Sequence, residues 1–119
     1  MKNLLIVLVI VFITSCASTS KQPIPTNDWN QAYAEQIGGE IYKITEGKIS
    51  PYVKAGLVNT LSENAISRCD SLLVTYQRTL QSWGYSRPFA DGYVGEMRKW
   101  AERETPMIII KLYNKEQSQ

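Results

Sequence analysis

The chain has 119 residues, 44% of them apolar, with 13 Lys and Arg against 11 Asp and Glu, no His and two Cys, enough for one small domain. Without His there is no Ser-His-Asp or Cys-His nucleophile system and no His-ligated metal, and two Cys cannot build a Cys-rich zinc site or a multi-bridge scaffold. A net charge of +2, carried by dispersed basic residues, gives no basic patch of the kind that neutralises phosphates, so nucleic acid is not an expected partner.

Residues 1–15 read Met1-Lys2-Asn3, then an apolar run over residues 4–13, then Thr14-Ser15. This is the layout of a secretory signal with a charged start, an apolar middle and a small-residue end. As a helix the ten-residue middle would cover about 15 Å, half of a hydrocarbon core, so a spanning anchor is the poorer reading.

Ile13-Thr14-Ser15-Cys16 resembles the lipobox of bacterial lipoproteins, with Ile in place of the commoner Leu and Ser in place of Gly or Ala before the cysteine. The resemblance covers only the first sixteen residues. It implies that Cys16 is the lipidated first residue of the mature chain, carrying a diacylglyceryl thioether and an amide-linked acyl chain. At about 0.8 kcal/mol per buried methylene such chains form a permanent tether. The next residues are Ala17 and Ser18 rather than Asp, which in the enterobacterial sorting rule implies the outer membrane, on its periplasmic face. An ordinary signal peptide cut near Ala17 is the bland alternative.

Loss of Lys2 with the leader leaves 12 cations against 11 anions, a balance of +1. Cys69 is then the one thiol beyond the anchor, either buried as an apolar residue or held in an intermolecular bridge. Residues 17–27 are polar, carry Pro23 and Pro25 and lack apolar periodicity, so residues 16–27 read as the lipidated cysteine and an extended linker. Its eleven residues after Cys16 would reach about 36 to 40 Å. A single periplasmic domain is expected over residues 28–119.

In that domain Trp29, Tyr33, Ile37 and Ile41 recur every four residues, as in a short amphipathic helix with Asn27 or Asp28 as its N-cap. Gly38-Gly39 is expected to end it, with a strand over residues 40–45 closed by Gly47. Ser50-Pro51 opens a second helical pattern. Val53, Leu57, Leu61, Ala65, Cys69, Leu72, Tyr76, Leu80 and Trp83 then follow at helical spacing, with Gly84 where a C-cap glycine belongs. This predicts one helix over residues 51–83, about 50 Å long, or two helices joined within residues 59–64 or at Cys69-Asp70-Ser71.

Residues 83–92 read as an aromatic-rich loop, and Asp91 as the cap of a short helix reaching Arg103, stopped by Thr105-Pro106. Residues 107–113, Met-Ile-Ile-Ile-Lys-Leu-Tyr, read as a strand. The expected fold class is therefore α+β, a small, mainly helical domain with a long central helix and a short sheet that includes a C-terminal strand. A two-stranded sheet is marginal alone, so either a third short strand exists or the edge is completed by another chain.

No carboxylate pair in an apolar context, serine elbow or phosphate-binding glycine loop stands out. The expectation is a protein without catalytic residues, metal or cofactor that acts by protein–protein interaction. Gln77 on the long helix and Ile109 and Tyr113 on the strand are its candidate partner-binding residues, and self-association is a further possibility. In architecture the chain resembles the outer spanin subunit of a tailed phage. That resemblance implies pairing with an inner-membrane partner to disrupt or fuse the host outer membrane during lysis. A pilotin-like or chaperone lipoprotein for an envelope secretion component is the alternative, as is an exclusion or immunity lipoprotein.

Overall fold

The computed structural model describes residues 21–119. Cys16 and the leader lie outside the described residues. Five helices follow in order: α1 (Thr26–Thr45), α2 (Ser50–Lys54), α3 (Val58–Arg68), α4 (Asp70–Ser82) and α5 (Arg87–Gln117). There is no strand among the described residues, and the α+β expectation is corrected to an all-helical fold.

The first correction falls on residues 40–45, which continue α1 instead of forming a strand. Trp29, Tyr33, Ile37, Ile41 and Thr45 are all buried, so one face of the helix runs unbroken past Gly38-Gly39. Each mid-helix glycine costs up to about 1 kcal/mol relative to Ala. Complete burial of Ile41 alone is worth about 1.5 to 3 kcal/mol, enough to carry the helix through. The chain leaves α1 through Glu46 (φ 53°) and Gly47 (φ 80°), two left-handed residues that reverse its direction.

The second correction falls on residues 107–113, which belong to the 31-residue α5. A proline inside a helix removes one backbone hydrogen bond and costs about 3 kcal/mol. Here Met97, Ala101, Thr105 and Ile109 are buried, a stripe with a spacing of four that runs straight across Pro106. Glu102, whose carbonyl loses its donor to the proline, lines an open cleft together with Pro106, which lets water take the vacant position.

The predicted 51–83 helix is three helices. Gly56 (φ 73°) ends the short α2, and Cys69 joins α3 to α4 with φ −99° and ψ 3°, one of the two junctions expected from the sequence. The fifth helix starts earlier than expected. Ser86, not Asp91, is its N-cap, with Oγ accepting from Phe89 N at 3.2 Å and Pro88 in the first turn. Only residues 83–86 of the expected aromatic loop remain outside helix.

The α3–α4 arm runs down between α1 and α5, which both run up. At one end Trp29 of α1 meets Tyr76 of α4 and Tyr93 of α5. At the other, Ile41 and Thr45 of α1 share a groove with Ile108 and Leu112 of α5. The core between the arms holds Tyr33, Ile37, Ile41, Leu61, Ile66, Cys69, Leu80 and Ile109, each at most 2% exposed. Cys69 is a free, buried thiol, the apolar alternative of the two expected for it.

Candidate functional site

The end of the bundle where the described chain begins is built from aromatic rings. Trp29 stacks on Tyr76 (centroids 4.3 Å apart) and on Trp83 (5.6 Å), with Tyr93 edge-on at 6.2 Å. Outside this cluster Tyr85 stacks on Phe89 at 5.0 Å. Residues 21–25 lie across these rings. Lys21 Nζ sits 5.3 Å from the centre of the Tyr85 ring, Tyr85 Oη donates to Gln22 O at 2.7 Å, and Thr26 Oγ1 shares a 2.8 Å hydrogen bond with Tyr93 Oη. Half of the expected free linker is thus docked, and the helical domain begins two residues before Asp28.

The opposite end is closed by polar contacts. Glu116, near the end of α5, accepts from Ile49 N at 2.9 Å and Ser50 N at 3.3 Å. The carboxylate thereby serves as an anionic cap for the first amides of α2. Tyr52 Oη donates to Ile44 O at 3.1 Å and ties α2 to α1. Between the two long helices this clasp leaves a groove of about 550 Å³ lined by Gly38, Ile41, Tyr42, Thr45, Ile108 and Leu112. Tyr42 on its wall is 68% exposed, and Gly38 has nothing within 4 Å of where a Cβ would stand. On the other flank of α5, away from the groove, Met107 (54% exposed) and Ile110 (40%) also face outward.

Midway along the bundle, Arg98 of α5 holds α4 and α5 together. Its Nε donates to Asp70 Oδ1 at 3.0 Å, Nη2 to Asp70 Oδ2 at 3.3 Å and Nη1 to Glu102 Oε1 at 2.6 Å. These hydrogen bonds, that to Asp70 first, push the guanidinium pKa further up. With its donors committed to two carboxylates, this arginine reads as a structural clamp beside the polar cleft of Asn59, Ser62, Glu63 and Glu102. Behind it, burial pushes the Tyr33 phenol up to about 12, with the Asp70 charge adding to the effect, and the Cys69 thiol up to about 11, with Glu40 adding. The buried Tyr33 Oη has no hydrogen-bond partner. Both groups stay protonated and unreactive at neutral pH.

The residues singled out in the sequence do not come together. Gln77 lies on the α4–α5 groove with Nε2 donating to Asp91 Oδ1 at 2.7 Å. Ile109 is wholly buried, and the strand edge on which it was to meet a partner is absent among the described residues. Tyr113 is half-buried against the core. Tyr42, Ile108 and Leu112 were not singled out. Once residues 97–113 are read as one helix, however, Ile108 and Leu112 lie four apart and off the Ile109 stripe, which is the signal of a second apolar face.

Comparison with known protein families, characterised proteins and solved structures finds no match for this chain. Among the described residues no helix is long and apolar enough to cross a membrane. Among the described residues the fold is a three-armed helical bundle with an exposed apolar groove between α1 and α5.

Proposed function

We propose that this chain is a lipoprotein anchored through Cys16 to the periplasmic face of the outer membrane, acting as a non-enzymatic protein-binding bundle. The observation that carries the reading is the position of the apolar groove. It lies toward the other end of the bundle from the point where the chain comes in from Cys16, with Ile41 about 22 Å along α1 from Thr26 and Leu112 about 38 Å along α5 from Arg87. A lipid at one end and an apolar groove at the other suit a partner reaching in from the opposite side of the periplasm. The partner we propose is a helical segment of a protein anchored in the inner membrane, its apolar face laid between α1 and α5. This keeps the outer-spanin role in host lysis as the leading reading and moves the contact from a strand edge to a helical groove.

A second reading, a pilotin-like escort of an envelope secretion component, gains from one observation. The Ile-rich segment that fitted it poorly as a strand is helix α5. A photo-crosslinking residue at Tyr42 in intact envelopes, followed by mass spectrometry, separates the two. Capture of a single-pass inner-membrane protein is the expected result. Capture of a secretin would move the second reading to first place. Absence of any protein adduct from position 42 would overturn both.

A further inference from the structure

We infer that the aromatic end of the bundle rests on the membrane that holds the anchor, with Tyr85 and Phe89 at the boundary between headgroups and acyl chains and Lys21 and Arg87 beside the phosphates. The inference rests on the lipid anchor proposed for Cys16.

Its first support is the length of chain between the anchor and the fold. Four residues lie between Cys16 and Lys21, five steps of the chain in all, and Lys21 is bound to the bundle. Its ammonium lies over the Tyr85 ring at 5.3 Å, its side chain reaches the turn at Gly84, and the neighbouring Gln22 carbonyl accepts from Tyr85 Oη. Five fully extended residues span at most about 18 Å. The α4–α5 turn is therefore confined within about that distance of the lipidated cysteine, and the end that carries Tyr85 and Phe89 is the end held against the bilayer.

The second support is the chemistry of that end. Phe89 is 46% exposed although it lies in the first turn of α5 beside a stacked tyrosine. Tyr85 and Trp83 are half-buried next to it. Rings that are apolar at the face and polar at one edge collect at membrane interfaces, where long basic side chains reach outward to the phosphates. Lys21 lies over the Tyr85 ring, and the exposed Arg87, between Tyr85 and Phe89 in sequence, stands 3.8 Å from the exposed Asp91, so the charge at this edge is mixed. The opposite end also exposes a ring, apolar side chains and cations, with Tyr42, Met107 and Ile110 near Lys43, Lys48 and Lys115, so what sets the aromatic end apart is that the segment leading from the anchor is bound there.

The test uses the mature protein purified from envelopes and reconstituted on vesicles of phosphatidylethanolamine and phosphatidylglycerol. One thiol is introduced at an exposed site near the aromatic end, Gln81→Cys, or at the far end, Gln117→Cys, and labelled with a polarity-sensitive fluorophore. Cys69 is buried with its thiol pushed up to about 11, so the label goes to the new site. Expected is a several-fold brighter label at position 81 that is quenched by nitroxide-bearing lipid, and an aqueous, unquenched label at 117. Adding Phe89→Ser, an exposed change that leaves the core intact, is expected to lower the signal at 81 by about half.

The mass of the Cys16 peptide is read on the same sample. An unmodified cysteine overturns the anchor and, with it, the tether on which the inference stands. A lipidated cysteine with equally aqueous labels at both sites overturns the membrane contact alone. A shielded label at 81 that lipid-borne quencher does not reach means that something other than lipid covers this end, and it also overturns the inference.

Discussion

At the end where the chain comes in, six rings, Trp29 and Phe89 among them, pack together and the docked residues 21–25 cover their outer edge. At the opposite end closure rests on Glu116, gripping two amides of α2, and on Tyr52, bonded to Ile44 O, while apolar side chains on either side stay in contact with water. The first end is sealed by area removed from water, which acts without direction and accumulates with each ring. The second is held by a few directional hydrogen bonds, each modest in net worth. Most of the exposed apolar side chains, Tyr42, Met107 and Ile110, lie at the clasped end, with Phe89 at the outer edge of the aromatic one.

Four substitutions probe that difference. Trp29→Ala removes the ring common to three of the aromatic contacts and is expected to cost about 3 to 5 kcal/mol, read from the shift of a urea unfolding curve. A cost below about 1 kcal/mol would mean that the aromatic end is not the sealed one. Next comes a pair on α5. Ile109→Ala is expected to lose about 2 to 4 kcal/mol, against no more than about 0.5 for the adjacent, 40% exposed Ile110. Comparable losses at 109 and 110 would argue that residues 107–113 are buried on both faces, as in the strand first expected there.

Glu116→Ala is expected to cost about 1 kcal/mol and to speed hydrogen exchange at Ile49 and Ser50 while leaving the Trp29 end protected. Loss of protection at both ends together would show that the clasp and the aromatic cluster are one cooperative unit.

The smallest effect concerns the middle of the bundle. Tyr33→Phe removes a buried hydroxyl that has no partner and is expected to stabilise by about 1 kcal/mol. The pH dependence follows from two raised values, Cys69 from 9.0 to about 11 and Tyr33 from 10.0 to about 12. Above pH 9 the unfolded chain gives up these protons before the folded one does. Their contribution to stability is therefore whole below pH 9 and lost as the pH climbs through about 11 and 12. Denaturation midpoints are expected to be flat up to about pH 9 on account of these two groups and then to fall, with Tyr33→Phe keeping only the part that belongs to the thiol.

The sequence carried the α1 stripe in full, since Trp29, Tyr33, Ile37 and Ile41 show the spacing that the fold buries. Gly38-Gly39 does not end the helix, because two glycines cost less than the burial they would interrupt. Thr105-Pro106 does not end α5 for the same reason, since Met97, Ala101, Thr105 and Ile109 continue the buried period across it. A run such as Ile108-Ile109-Ile110 is ambiguous by itself, because β-branched residues that suit a strand are tolerated in a helix with a buried face on each side. The breaks at Gly56 and Cys69 were only partly legible. A left-handed glycine and a junction without a capping side chain leave weaker marks than Ser-Pro or Gly-Gly. Of the candidate partner-binding residues, Ile109 belongs to the edge of the expected strand, and in the helix its apolar side chain falls on the buried stripe instead. The exposed positions next to it become visible only when the segment is wound as a helix.

The central claim is the polarity of the molecule, lipid at the aromatic end and protein at the groove end. The most direct measurement compares photo-crosslinking residues at Phe89 and at Tyr42, each placed singly in the full chain within intact envelopes, and weighs lipid against protein adducts at each. The account expects mainly lipid adducts from position 89 and a discrete protein adduct from position 42. Protein captured at 89 with none at 42 would reverse the polarity and contradict it.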